Sequence, residues 1–206
     1  MTSPFLLTSL VLVFVQLTTV GGFIVLSWGK CPDIPSMDNF NIQRYMGKWY
    51  ATESFDAPYQ FMSYCISANY TLLPGGDAVR VYNSGKRGWK IGNRLLFAED
   101  SVADGFATVR NPLVPSALNV EFPAQNSGFF ATGPRSKPNY LVVTSDYDNY
   151  ALVWSCVETS VFLRVDTAWI LSRTKQPPAN TNELKSILTS YGINTRFFKK
   201  IDQDIC

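Results

Sequence analysis

FNIQRYMGKWYATES, Phe40 to Ser54, contains at Gly47-Lys48-Trp49-Tyr50 the start of a β-strand. A turn-compatible glycine follows Tyr45-Met46, and Trp49, Tyr50 and Thr52 are the aromatic and β-branched residues that a pleated, half-buried surface favours. A Gly-X-Trp triplet alone is also what an ordinary buried core tryptophan produces. Its meaning depends on the strands and motifs further along the chain.

Outward from that strand the chain reads as a succession of short strands. After Pro32, Pro35 and a polar segment, Met37 to Tyr45, the first strand runs from about Lys48 to Phe55. The loop behind it carries Tyr59, Phe61 and Met62. Tyr64 to Leu73 is the second strand, and Pro74-Gly75-Gly76-Asp77 is a turn signal that predicts a hairpin to a third at Ala78 to Tyr82. Asn83 to Asp104 is Gly-rich and mixed, and two strands are placed across the segments Arg94 to Phe97, Gly105 to Arg110 and Ala117 to Phe122. From Asn139 the pattern is clear again: Tyr140 to Thr144, a turn at Asp146 to Asn149, Tyr150 to Val157, and Phe162 to Ser172. Eight strands with turns between neighbours and no interleaved helix predict an all-β up-and-down barrel or sandwich. One helix fits Thr181 to Tyr191, with Asn180 or Thr181 as N-cap and Leu184, Ile187 and Leu188 as its apolar stripe.

Composition narrows the setting. The 206 residues suffice for one domain, and a net charge of +2 with interspersed signs argues against nucleic acid or a strongly acidic partner. Aromatic residues make up 14% of the chain, more than a minimal core requires. Met1 to Gly29 carries no charge, and Phe5 to Val20 resembles the apolar core of a secretory leader ending in small residues near Gly21-Gly22. A leader at 1–22, extending at most to about 29, and a mature domain at 30–206 are the expected organisation, with secretion to the extracellular space. Four widely spaced cysteines, Cys31, Cys65, Cys156 and Cys206, without a Cys-X-X-Cys pair or any histidine, point to disulfides rather than a metal site. Three pairings are open from the sequence. The sequon Asn69-Tyr70-Thr71 makes Asn69 a candidate glycan site.

Three separated stretches resemble the motifs of the lipocalins: Gly47-Lys48-Trp49-Tyr50, Thr144-Ser145-Asp146-Tyr147, and Ala168-Trp169-Ile170-Leu171-Ser172-Arg173. Within that family, Gly29-Lys30-Cys31-Pro32, Cys65 to Tyr70, Asp146 to Val153 and Leu184 to Leu188 are similar to the branch that holds apolipoprotein D and the insect bilin-binding proteins. Lys86 to Pro115 fits that branch least well. The resemblance implies an eight-stranded antiparallel up-and-down barrel, open at one end, with one C-terminal helix packed outside. It implies the disulfides Cys31–Cys156 and Cys65–Cys206, and a structural role for Gly47, Trp49, Asp146 and Arg173 at the closed end. Side chains alternate along a strand, so Trp169, Leu171 and Arg173 share a face, and Arg173 can lie over Trp49 as a cation–π pair.

Function is then expected in the cavity. The resemblance places Tyr70, Phe122 and Trp169 where the family has aromatic lining, with Tyr140 and Ser145 as secondary candidates; the competing reading of each is plain core packing. Asn69 and Tyr70 are adjacent on a strand, so an outward glycan and an inward ring are compatible. The expected partner is a small hydrophobic ligand: a fatty acid, sterol, retinoid, carotenoid or bilin. No cofactor, metal or catalytic residue is expected, because the absence of histidine removes the usual triads and histidine-ligated sites. The alternative is a surface module in which Tyr59, Phe61 and Met62 touch a lipid surface or partner.

Overall fold

The computed structural model describes residues 25–55, 60, 62–123 and 137–206, so the expected leader, Tyr59 and Phe61 lie outside the described residues. Strand β1 (Val25–Trp28) precedes a single helical turn, α1 (Ile42–Tyr45). Eight strands follow in meander order: β2 (Gly47–Phe55), β3 (Ser63–Leu72), β4 (Ala78–Ile91), β5 (Arg94–Val109), β6 (Ala117–Glu121), β7 (Tyr140–Ser145), β8 (Tyr150–Glu158) and β9 (Leu163–Ser172). Each pairs antiparallel with the next, and β9 returns to β2 in register from Tyr50↔Ser172 to Ser54↔Trp169. That return closes the barrel and removes its edges.

Two short strands complete the seams. Strand β1 pairs with the first half of β9, Val25↔Asp166 to Trp28↔Leu163, where β2 no longer reaches. Helix α2 (Thr181–Ser190) and a short turn lead to β10 (Phe198–Lys200), which pairs with the last three residues of β2. Asn180 stands at the N-cap of α2 but makes no side-chain cap bond, and the Thr181 hydroxyl donates to Pro178 instead.

The two faces of the barrel wall bury different cores. On β8, Ala151 and Val153 join the interior cluster while Leu152 and Trp154 face the outer layer; on β9, Trp169 and Leu171 go inward, Ala168 and Ile170 outward. Period-two alternation sorts these residues. The outer layer receives Leu184 and Leu188 of α2, both fully buried, with Ile187 partly so. A bulge between Ala51 and Glu53 breaks the alternation in β2, so that Trp49 and Ala51 point inward and Phe55 packs outside. Buried Glu53 meets Lys185 Nζ of α2 at 2.5 Å and pins the helix to the wall.

The middle of the barrel corrects the expectation of short, irregular strands between Asn83 and Asp104. Strands β4 and β5 form one continuous hairpin of 14 and 16 residues, closed by a two-residue turn at Gly92-Asn93. Two glycines of that stretch are places of close backbone approach: a Cβ on Gly88 would sit 2.7 Å from the Leu96 carbonyl oxygen, and one on Gly85 3.0 Å from that of Tyr64. A Cβ on Gly105 would sit 2.2 Å from the Glu121 carbonyl oxygen and 2.6 Å from the Phe122 ring, so nothing larger fits between β5 and β6.

The disulfides are Cys31–Cys156 and Cys65–Cys206, with Cα atoms 5.9 and 5.7 Å apart. The second anchors the tail against β3. Beside it, β2 and β3 separate after Tyr50↔Ser67, and the buried Gln203 amide spans the gap, donating to the carbonyls of Ala51 and Ile66 at 2.8 Å each. Replacing Cys65 and Cys206 together by serine is expected to lower stability by about 2–5 kcal/mol. Urea unfolding checks the size, and faster amide exchange in β10 checks the place.

Candidate functional site

The closed end of the barrel is built around one arginine. Arg173, just past β9, holds its guanidinium carbon 3.7 Å from the ring centroid of fully buried Trp49. Its Nε donates to the Tyr147 carbonyl at 2.8 Å, Nη1 to Lys48 at 2.9 Å and Nη2 to Arg44 at 3.0 Å. One side chain thereby joins α1, β2, the β7–β8 turn and β9. Burial pulls Arg173 below its ordinary pKa, opposed by the nearby Tyr45, Asp148 and Asp146. Gly47 has a φ of +90°, a conformation that L side chains rarely adopt, so glycine at this position lets the chain turn out of α1 into β2.

The β7–β8 turn is held by Asp146. Its carboxylate accepts from the backbone amides of Asp148, Asn149 and Tyr150 at 3.2, 2.8 and 2.9 Å, and from the Asn149 side chain. Desolvation pushes the Asp146 carboxyl upward, but these hydrogen bonds outweigh it and hold the group below its ordinary range. Ser145 belongs to the same turn: its hydroxyl donates to Tyr150 O at 2.6 Å and accepts from Tyr147 N at 2.9 Å. Both its hydrogen-bonding roles are taken there, which sets Ser145 apart from the rings of the chamber.

Above this floor the interior is aromatic. Tyr45 packs on Trp49 with centroids 5.3 Å apart and stacks on Tyr70 at 5.5 Å. Tyr140 completes the group, its hydroxyl 3.0 Å from that of Tyr45 and 2.9 Å from that of Tyr70. Trp169 stacks on Tyr140 at 6.4 Å, and Phe122 packs against the same interior cluster beside Gly105. A void of about 10 Å³ is left among Tyr45, Tyr70, Tyr140, Val81 and Leu118, so the bottom of the barrel is nearly filled. Tyr140, Trp169 and Phe122 pack on this interior but are only partly buried. The fold therefore brings Tyr70, Tyr140, Trp169 and Phe122 into one interior. It leaves Ser145 in the turn, and Asn69 exposed on the outer face of β3 next to inward Tyr70.

Tyr45 is the interior residue that the sequence reading missed. It closes the segment read as polar linker, yet Ile42 and Tyr45 are one helical step apart and both buried. That spacing was the available signal. Met62 is half-buried, and its carbonyl accepts from Gly88 N. Among the described residues, exposed apolar side chains stand at two hairpin tips on the mouth end: Trp89, Ile91 and Phe97 (86% exposed) on β4–β5, and Val161 and Phe162 on β8–β9 beside Trp28 (82%).

A closed eight-stranded cup with a sealed floor and an aromatic chamber defines the class. A Lipocalin-like domain model matches residues 40–203. Apolipoprotein D of Macaca fascicularis is 35% identical over 181 residues, 86% of this chain and 85% of that protein. The chain belongs to the lipocalin family. Among solved structures, lobster apocrustacyanin A1 superposes with a TM-score of 0.65 at 20% identity, covering 86% of this chain and 91% of its own. Insecticyanin of Manduca sexta gives 0.61 at 21% identity, covering 87% and 89%.

Lysine cannot reproduce the fork of Arg173 or its stacking. Arg173→Lys is expected to lower unfolding free energy by about 2–4 kcal/mol, read by urea denaturation. The tyrosines set an alkaline limit. Burial raises Tyr70 from 10.0 to about 12, with Tyr140's hydrogen bond opposing, and pushes Tyr45 and Tyr140 well above 10.0. Unfolded phenols return to about 10, so only the unfolded chain ionises in that window. Stability is expected to be unaffected below pH 10 and to fall as pH rises to about 12, less steeply in Tyr70→Phe. Urea midpoints across that range check it.

Proposed function

We propose that the chain is a secreted carrier that reversibly binds one small hydrophobic molecule inside its barrel. The observation that carries this reading is the inward set of Tyr140, Trp169 and Phe122, half-open rings above a packed floor, in a wall whose outer face is already covered by α2. Apolar burial against those rings supplies affinity, and a preformed rigid cup limits the entropy lost on binding. Membership in the lipocalin family supports the same reading. Two disulfides that join residues 125 and 141 positions apart suit an oxidising, extracellular setting, and exposed Asn69 is placed to carry a glycan there. Fatty acids, sterols, retinoids, carotenoids and bilins all match such a wall. No enzymatic role is assigned, since the chain contains no histidine and its four cysteines are paired.

A second reading has its own observation. The apolar tips at Trp89, Ile91 and Phe97 and at Val161, Phe162 and Trp28 suit contact with a lipid surface or another protein, beside the expected Tyr59-Phe61-Met62 loop. In that reading the chamber is secondary.

Native mass spectrometry of the secreted protein, with extraction, and fluorescence titration with a fatty acid, a sterol and biliverdin separate the two. A bound lipid or pigment, and roughly three- to tenfold weaker binding in Trp169→Phe, are expected from the lost ring contact. An empty chamber that takes none of the three at micromolar concentration overturns the carrier reading. Co-elution of the empty protein with liposomes in gel filtration would then favour the surface reading.

A further inference from the structure

Three tyrosine hydroxyls meet inside the barrel, and they share two hydrogen bonds. Tyr140 Oη is bonded to Tyr45 Oη at 3.0 Å and to Tyr70 Oη at 2.9 Å. A phenol carries one O–H proton and can also accept. Whichever way the bonds run, two of the three protons are used. One O–H has no acceptor among the described residues. If Tyr140 accepts from both neighbours, the spare proton is its own; if it donates to one, the spare proton belongs to that neighbour. Buried donors left unmet are destabilising and rare in folded proteins. An atom that accepts a hydrogen bond at this place removes the deficit. Burial holds all three phenols well above their ordinary pKa, so the donor persists through neutral and mildly alkaline pH.

Among the described residues the same interior offers no fixed positive charge. Its cluster is made of aliphatic and aromatic residues, and the guanidinium of Arg173 lies across Trp49, committed to backbone carbonyls. A carboxylate brought to the tyrosines would lose its hydration and meet no cation. An uncharged oxygen meets the donor without that loss.

Resting on the carrier reading, we propose that the barrel takes its ligand head-down and recognises an uncharged oxygen acceptor, the carbonyl of a ketone, aldehyde or ester, at the Tyr45–Tyr140–Tyr70 hydroxyl cluster. Of the three rings Tyr140 is the least buried, and the void of about 10 Å³ beside them admits an oxygen atom but no bulkier group. Tyr140 is half-buried and stacked on Trp169, whereas Tyr45 and Tyr70 are 2% and 8% exposed behind it. The hydrocarbon body then runs along Trp169 and Phe122 toward the mouth.

The test compares methyl palmitate isotopically labelled at its carbonyl, hexadecane and palmitate on the full protein, by competition with a fluorescent probe and by infrared difference spectroscopy. The bound ester's carbonyl stretch is expected at lower wavenumber than the same ester shows in hexadecane, and the ester is expected to bind more tightly than palmitate at neutral pH. Tyr140→Phe is expected to weaken the ester about three- to tenfold more than it weakens hexadecane, and to abolish the infrared shift. An unshifted carbonyl in the wild-type complex, or equal affinity for ester and palmitate, overturns the proposal while leaving the carrier reading intact. Binding of none of the three overturns both. The wild-type spectrum decides even if the variant does not fold.

Discussion

A guanidinium laid 3.7 Å from an indole and hydrogen-bonded to carbonyls of Arg44, Lys48 and Tyr147 ties together the parts that make a cup out of a sheet. The barrel seam opens at Tyr50↔Ser172, next to Arg173, so this one side chain stands where the first and last strands of the barrel must meet. The cation–π contact contributes about 0.5–2 kcal/mol, and hydrogen bonds from a charged donor a net of about 1.5–3 kcal/mol each. Their geometry matters more than their sum. A planar fork can satisfy carbonyls from three elements at once, and it does so only when α1, β2 and the β7–β8 turn are in register. The floor is therefore set by direction as well as by energy, and the chamber above inherits its shape.

From that floor the wall divides its work between two faces. Inward residues build a stack from Trp49 through Tyr45, Tyr70 and Tyr140 to Trp169, while outward residues of β2, β8 and β9 receive α2. The bulge at Ala51/Glu53 is what lets β2 serve both, because it turns Phe55 outward without breaking the strand. Glu53 then becomes a buried anchor for Lys185, and the tail repairs the gap between β2 and β3 through Gln203. A chamber wall stiffened from outside can stay partly open inside.

Much of this was legible in the sequence where local pattern and tertiary structure agree. The β2, β3, β7, β8 and β9 segments and α2 announce themselves through alternation, turn residues and an amphipathic stripe. Alternation also puts Trp169, Leu171 and Arg173 on one face, which is how they lie. The disulfide pairing came from family resemblance, since spacing alone left three choices. The long β4–β5 hairpin was hidden because Gly85 and Gly88 answer a tertiary demand, the approach of the Tyr64 and Leu96 carbonyls, and local reading takes glycine for loop. Ser145 shows the opposite case: it ends β7, and its hydroxyl serves the turn that follows. Tyr45 was overlooked because its signal is one pair, Ile42 and Tyr45, in a single helical turn that the polar residues around it mask.

The most direct measurement is the set of intermolecular nuclear Overhauser contacts between a bound, protonated lipid and the deuterated protein carrying protonated aromatic rings. Contacts from the lipid to Trp169, Tyr140 and Phe122 are expected, with none to Trp89 or Phe97. Contacts confined to Trp89, Phe97 and Phe162 would place the lipid on the rim, and would contradict a carrier built on its chamber.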